Sequence, residues 1–133
     1  MALDIVVTEN GKVGKYDQQG SIAFEDDADY WYLQPMIKEI ENRTGQLIDL
    51  YGEAKFGGDF LEQVEKIVLD HLDRLKQRRE KQWEVHVGTQ LHPTRKDLFK
   101  TLIKKDLEEK LHRFIAMLRQ AKRTNEHVVC LGD

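Results

Sequence analysis

Five histidines, one cysteine and many carboxylates are the groups in this chain able to do chemistry. Metal ligation needs several His, Cys or carboxylate side chains converging on one point. The histidines are His71, His86, His92, His112 and His127, and no His-x-x-x-His pair occurs. No helix therefore offers two imidazoles one turn apart. Asp70 and His71 are adjacent, but neighbours on a helix point about 100° apart. His86, His92 and His127 form the one trio with a geometric case. Positions 86 and 127 fall in segments that read as strands, and His92 lies in the loop after the first. These three are the weak metal candidates, in a chain for which no cofactor is expected.

Covalent catalysis would require Cys130 and a base. His127 is close in sequence, yet positions 127 and 130 of a strand face opposite sides. Cys130 lies in the apolar run Val128-Val129-Cys130-Leu131 and reads as a small buried hydrophobe. A single cysteine also rules out an intramolecular disulfide. There is no Gly-x-Ser-x-Gly elbow. Gly11-Lys12 and Gly14-Lys15 lack the glycine spacing and the following Ser or Thr of a phosphate-binding loop. Carboxylate pairs are plentiful, but in a chain with 34% charged residues they read as solvated. No catalytic residue is assigned, and the chain reads as non-catalytic, with a small metal-dependent enzyme as one alternative.

The segment that stands out is Glu25-Asp26-Asp27-Ala28-Asp29 followed by Tyr30-Trp31-Tyr32. Tyrosine and tryptophan are favoured at interface hot spots, and carboxylates around them would steer a basic partner. Asp26, Asp27, Asp29, Tyr30, Trp31 and Tyr32 are the candidate partner-binding residues. The competing reading is structural: acidic residues suit the start of a helix, and Tyr30 and Trp31 fill a core.

Charge patterning also points to association. Residues 1–70 carry fifteen Asp or Glu and six Lys or Arg, a net of −9; residues 71–133 carry nine and fifteen, a net of +6. Such asymmetry suits an acidic surface meeting a basic partner, or two copies meeting head to tail. Lys and Arg from Arg74 to Lys81 and from Arg95 to Lys105 invite comparison with a phosphate-binding face. Glu80, Asp97 and the acids of 106–109 interrupt them, so nucleic acid is not the expected partner. The leading expectation is a protein–protein interaction module, of the physical type of inhibitors, immunity proteins or antitoxins, presenting an acidic aromatic surface to a basic protein. A homo-oligomer assembled through the opposite charge halves is the structural alternative.

The elements that would position these groups can be read from periodicity. Leu3–Thr8 is rich in β-branched residues and reads as a strand, Asn10-Gly11 as a hairpin turn, and Ser21–Phe24 as a second strand. Tyr30, Leu33, Ile37 and Ile40 sit at helical spacing, with the helix starting near Gln34 and Pro35 in its first turn. Gly45 suits its C-terminal cap. Gln46–Tyr51 fits either a short helix or a buried strand. Gly57-Gly58 is a break and the candidate hinge. Asp59 opens a helix whose apolar face is Leu61, Val64, Val68, Leu72 and Leu75. Trp83–Val87 alternates as a half-buried strand. Thr94 with Asp97 is expected to open the longest helix, to about Arg123, with Leu98, Leu102, Leu107, Leu111, Phe114, Ile115 and Leu118 on its apolar face. His127–Leu131 reads as a final strand.

The fold expected is α+β: a small mixed sheet, from the N-terminal hairpin and the two C-terminal strands, packed against two long amphipathic helices. At 133 residues with 40% hydrophobic content, residues 1–133 read as one domain. The first twenty residues hold Asp4, Glu9, Lys12, Lys15 and Asp17, which leaves no apolar stretch for a signal peptide, and no run approaches a membrane span. A cytoplasmic protein without membrane contact is the expectation.

Overall fold

Leu3–Thr8 and His127–Gly132 are near-continuous apolar runs, the pattern of strands buried on both faces. In the computed structural model, which describes residues 3–8, 22–24 and 27–132, these two runs lie side by side at the centre of a sheet. The elements are β1 (Leu3–Thr8), β2 (Ile22–Phe24), α1 (Asp27–Tyr32), α2 (Gln34–Thr44), β3 (Glu53–Phe56), α3 (Asp59–Gln77), β4 (Gln82–Gln90), β5 (Lys96–Ile103), α4 (Lys104–Thr124) and β6 (His127–Gly132). The main sheet has the order β2-β1-β6-β3 with every pair antiparallel; β4 and β5 form a separate two-stranded ribbon.

Register explains the core. Ile5 stands opposite Cys130, which stands opposite Ala54; Val7, Val128 and Phe56 form the next row. Each row points to one face, because opposed residues in a ladder share a side. Ile5, Cys130, Ala54, Val128 and Phe56 join a cluster with Leu61, Val64, Val68, Leu72 and Leu75 of α3 and Leu107, Leu111, Phe114 and Leu118 of α4. Val6, Thr8 and Val129, on the other face, are buried too.

The α+β class and the two long amphipathic helices are present, and the strand read at Ser21–Phe24 is found at Ile22–Phe24, paired with Leu3–Thr8. The sheet draws its fourth strand from a different place. Trp83–Val87 does not join His127–Leu131; β4 pairs with β5, so no crossover between parallel strands arises. The longest helix begins at Lys104, not Thr94, because residues 96–103 are drawn into the ribbon. Leu98 and Leu102 are four apart, a spacing that suits a helix face and also, being even, one face of a strand. Pairing of Leu102 with Trp83 decides the matter. Gln46–Asp49 is neither helix nor strand, and the strand follows at β3. The Asn10-Gly11 turn lies outside the described residues.

Other local readings hold. Pro35 sits in the first turn of α2, where its missing N–H breaks no helical bond, and Gly45 caps the C-terminus in the left-handed region at φ 76. A Cβ at Gly57 would run into the His127 ring, so glycine there permits a close approach between the end of β3 and β6. Gly58 precedes α3 at φ 57, a conformation that side chains disfavour.

The helices are tied by ion pairs. Asp29 of α1 is buried and accepts a hydrogen bond from Lys110 Nζ of α4 at 2.6 Å. Glu65 of α3 accepts one from Arg119 Nε of α4, and Lys122 of α4 lies 3.4 Å from Glu62 of α3. Removing Lys110 leaves the Asp29 charge in a site shielded from water. Lys110→Met is expected to cost about 2 kcal/mol, below the range for fully buried pairs because the lysine is partly exposed. Adding Asp29→Asn to Lys110→Met should recover part of that loss. Urea unfolding of the single and double variants checks both.

Candidate interaction surface

The β4–β5 ribbon is built outward from a packed base. Trp83 is buried; its ring lies 5.1 Å from that of Tyr32, and the Arg78 guanidinium carbon stands 3.6 Å from the indole centroid. Such stacking combines dispersion with cation–π attraction. Leu102, opposite Trp83, is buried as well, and Val85 and Val87 pack against the same cluster. Lys104 closes the base. Its Nζ donates to the carbonyls of Lys76 at 2.9 Å and Arg78 at 2.5 Å, satisfying acceptors left over at the end of α3. Its backbone N–H donates to Lys81 O at 2.9 Å.

Beyond this base the packing stops, and every residue from Thr89 to Thr101 is exposed. One face carries a row of cross-strand pairs, the unit of sheet stabilisation. Thr101 Oγ1 donates to Glu84 Oε1 at 2.5 Å; the rings of His86 and Phe99 lie 5.4 Å apart; Thr89 Oγ1 donates to Asp97 Oδ1 at 3.1 Å. A register shift between His86 and Gly88 bulges β4 and bends the ribbon. Strands of this length span about 30 Å. Leu91 (66%), Phe99 (55%), Ile103 (46%) and Leu98 (39%) are exposed along it.

Charge collects here as well. Residues 74–105, which comprise the end of α3, the ribbon and the start of α4, hold ten Lys or Arg against three Asp or Glu, a net of +7. Residues 1–73 carry −10 and residues 106–133 are neutral. Most of this charge lies at the base of the ribbon: residues 82–103 themselves hold three Lys or Arg against two Asp or Glu, a net of +1.

The acidic aromatic segment divides between interior and surface. Asp29 and Tyr30 face inward, Asp29 to Lys110 and Tyr30 through its hydroxyl to Ile48 O at 3.1 Å. Both are therefore structural in this fold and are removed from the surface read from sequence. Tyr32 is half-buried against Trp83. Trp31 is 43% exposed, packed edge-on to Tyr30. Asp27 opens α1, and Asp26 lies outside the described residues.

His86, His92 and His127 are not brought together. His86 and His92 belong to the ribbon, whereas His127 lies in the main sheet opposite Thr8, because β4 pairs with β5 rather than β6. The histidine–carboxylate cluster that the described residues do form is Glu39, Asp70 and His71, with ligand atoms within 4.8 Å of one another. His71 Nε2 is 2.9 Å from Glu39 Oε2 across α2 and α3. Asp70 is paired with Arg74 at 2.7 Å, and a cavity of about 240 Å³ beside it is lined also by Arg43 and Lys66. The protein's own cations surround these carboxylates, so the cluster reads as an ion-pair network between two helices. Sequence reading missed it because Glu39 comes from another helix.

Comparison with protein-family models, curated proteins and solved structures finds no match to this chain. Among the described residues, no helix is long and apolar enough to cross a membrane.

Cys130 offers no reactive thiol. Burial in the core pushes its pKa up to about 12. Ellman's reagent is expected to leave the native protein unlabelled at neutral pH and to label one thiol per chain in urea. Because the folded pKa is raised, the contribution of this group to stability is complete below pH 9 and falls as pH climbs toward 12, by about 1.4 kcal/mol per pH unit. Cys130→Ala should flatten that part of the stability profile.

Proposed function

We propose that the chain is a non-catalytic protein-binding module whose main contact element is the β4–β5 ribbon. The observation that carries this reading is the exposed run Thr89–Thr101, set on a base immobilised by Trp83, Arg78 and Lys104. A ribbon that kept its exposed leucines and Phe99 without a partner would expose apolar side chains and two free strand edges to aggregation. Rigid presentation lowers the entropy lost on binding, which is how a preordered hairpin earns affinity.

The acidic half supports a second contact. Trp31 stands exposed on α1 in the half with net −9 and could anchor a basic protein, which is the inhibitor-, immunity- or antitoxin-like form of the same reading. Asp29 and Tyr30 would serve it only by holding α1 in place.

The ribbon can be shortened without touching its packed base. Gly88 pairs with Leu98, so replacing residues 89–97 with Asn-Gly makes a two-residue hairpin turn at that rung. This variant is expected to keep the circular-dichroism spectrum and lose partner capture in a tagged pull-down from host extract. Trp31→Ala measured beside it reports the second contact. A folded, shortened protein that captured the same partners at full yield would refute the ribbon's role.

A further inference from the structure

We infer that the ribbon of one copy docks on the acidic body of a second copy, forming a closed two-fold dimer. This rests on the reading of the ribbon as a contact element and names its partner. The first observation is the distribution of exposed large apolar residues. They fall into two sets: Trp31, Leu47, Tyr51 and Phe60 in the first half, and Leu91, Leu98, Phe99 and Ile103 on the ribbon. The second is charge. The exposed run Thr89–Thr101 carries Arg95, Lys96 and Lys100 against Asp97, a net of +2, above a base (residues 74–81 and 104–105) of net +6, whereas residues 1–73 carry −10. One chain thus bears a weakly cationic projection studded with apolar side chains, rooted in a strongly cationic base, and an acidic first half that exposes apolar side chains of its own. Opposite potentials steer such surfaces together, and buried apolar area then supplies affinity.

The fold specifies where on the body the contact falls. Leu47 and Tyr51 lie in the segment entering β3, and Phe60 in the first turn of α3 just after it. Asp49, Glu53 and Asp59 outnumber Lys55 along the same stretch, a net of −2, with Lys55 3.3 Å from Glu53. β3 is the outer strand of the sheet beside β6, and on its other edge the Lys55 N–H donates to Gln46 Oε1 at 3.1 Å, so contact there rests on side chains. The ribbon cannot serve this surface in its own chain. Its base packs on α1, which contacts β2 at one edge of the sheet, and β3 forms the opposite edge. A second molecule satisfies both surfaces, and exchange of two ribbons makes the contacts reciprocal, which closes the assembly rather than extending it into a filament.

The test is light scattering coupled to size exclusion at micromolar concentration, in low and high salt. Wild type is expected at twice 15.6 kDa in low salt, shifting toward the monomer in high salt. Arg95→Glu with Lys96→Glu, both on exposed ribbon positions, should give a folded monomer. Asp49→Lys with Glu53→Lys should do the same from the other side. Mixing the two monomeric variants should restore a dimer, since the reversed charges then face each other. A wild-type monomer in low salt overturns the proposal, and so does a dimer unchanged by the ribbon reversal. If such a monomer still captures a protein through the ribbon, or binds a labelled oligonucleotide that the ribbon reversal abolishes, the second copy is excluded as the occupant. Loss of self-association alone leaves the ribbon's contact role standing; loss of every ribbon-dependent capture removes both.

Discussion

The last strand holds this structure together. β6 lies between β1 and β3 and is bonded to both, so residues 127–132 must return to residues 3–8 and 53–56 before the sheet has a centre. Val128, Val129 and Cys130 are buried, and their strand bonds are shielded from water on both faces. An unpaired backbone group in that position would be costly, so pairing and burial reinforce each other. The helices then have a surface to cover, and α3 and α4 lay their apolar faces on it. The high pKa of the Cys130 thiol is a by-product of the same burial.

The ribbon depends on a second, local constraint. A two-stranded hairpin alone in water is marginal at best. Here its first rungs are fastened by Trp83 between Tyr32 and Arg78, by Leu102 opposite, and by the Lys104 ammonium on the carbonyls that end α3. These contacts order the base and leave the distal strands free of the body. Exposed Phe99 and Leu91 are therefore presented from a fixed root, a different situation from a floppy loop of the same composition.

Charge separation follows from where the ribbon falls in the chain. Folding could have interleaved acidic and basic segments and cancelled them. Instead the cationic stretch gathers at the helix ends beneath the ribbon, while the ribbon itself carries a net of +1. Lysines and arginines at the end of α3 also suit the helix dipole, so the charge has a local use whatever the ribbon binds. Between helices, opposite charges form cross-links, buried at Asp29 with Lys110 and at the surface between Glu65 and Arg119.

Periodicity and turn chemistry determined much of this fold without reference to tertiary contacts. The apolar faces of α3 and α4, the start of α2 around Pro35, its Gly45 cap and the buried β1 and β6 could all be read from residues, because each is a local pattern with one favoured geometry. The same reading failed at residues 94–103. There Leu98 and Leu102 suit two periods, and only pairing with Trp83 and its neighbours chose the strand. It left Asp29 and Tyr30 open between surface and core, since their partners Lys110 and Ile48 lie far along the chain. The Glu39–Asp70–His71 cluster and the Gly57–His127 approach arise between elements and leave no sequence signature. Local propensity determined which segments are ordered; long-range pairing decided which strand meets which, which charges are buried and which face is left open, because those energies exist only once distant residues are in contact.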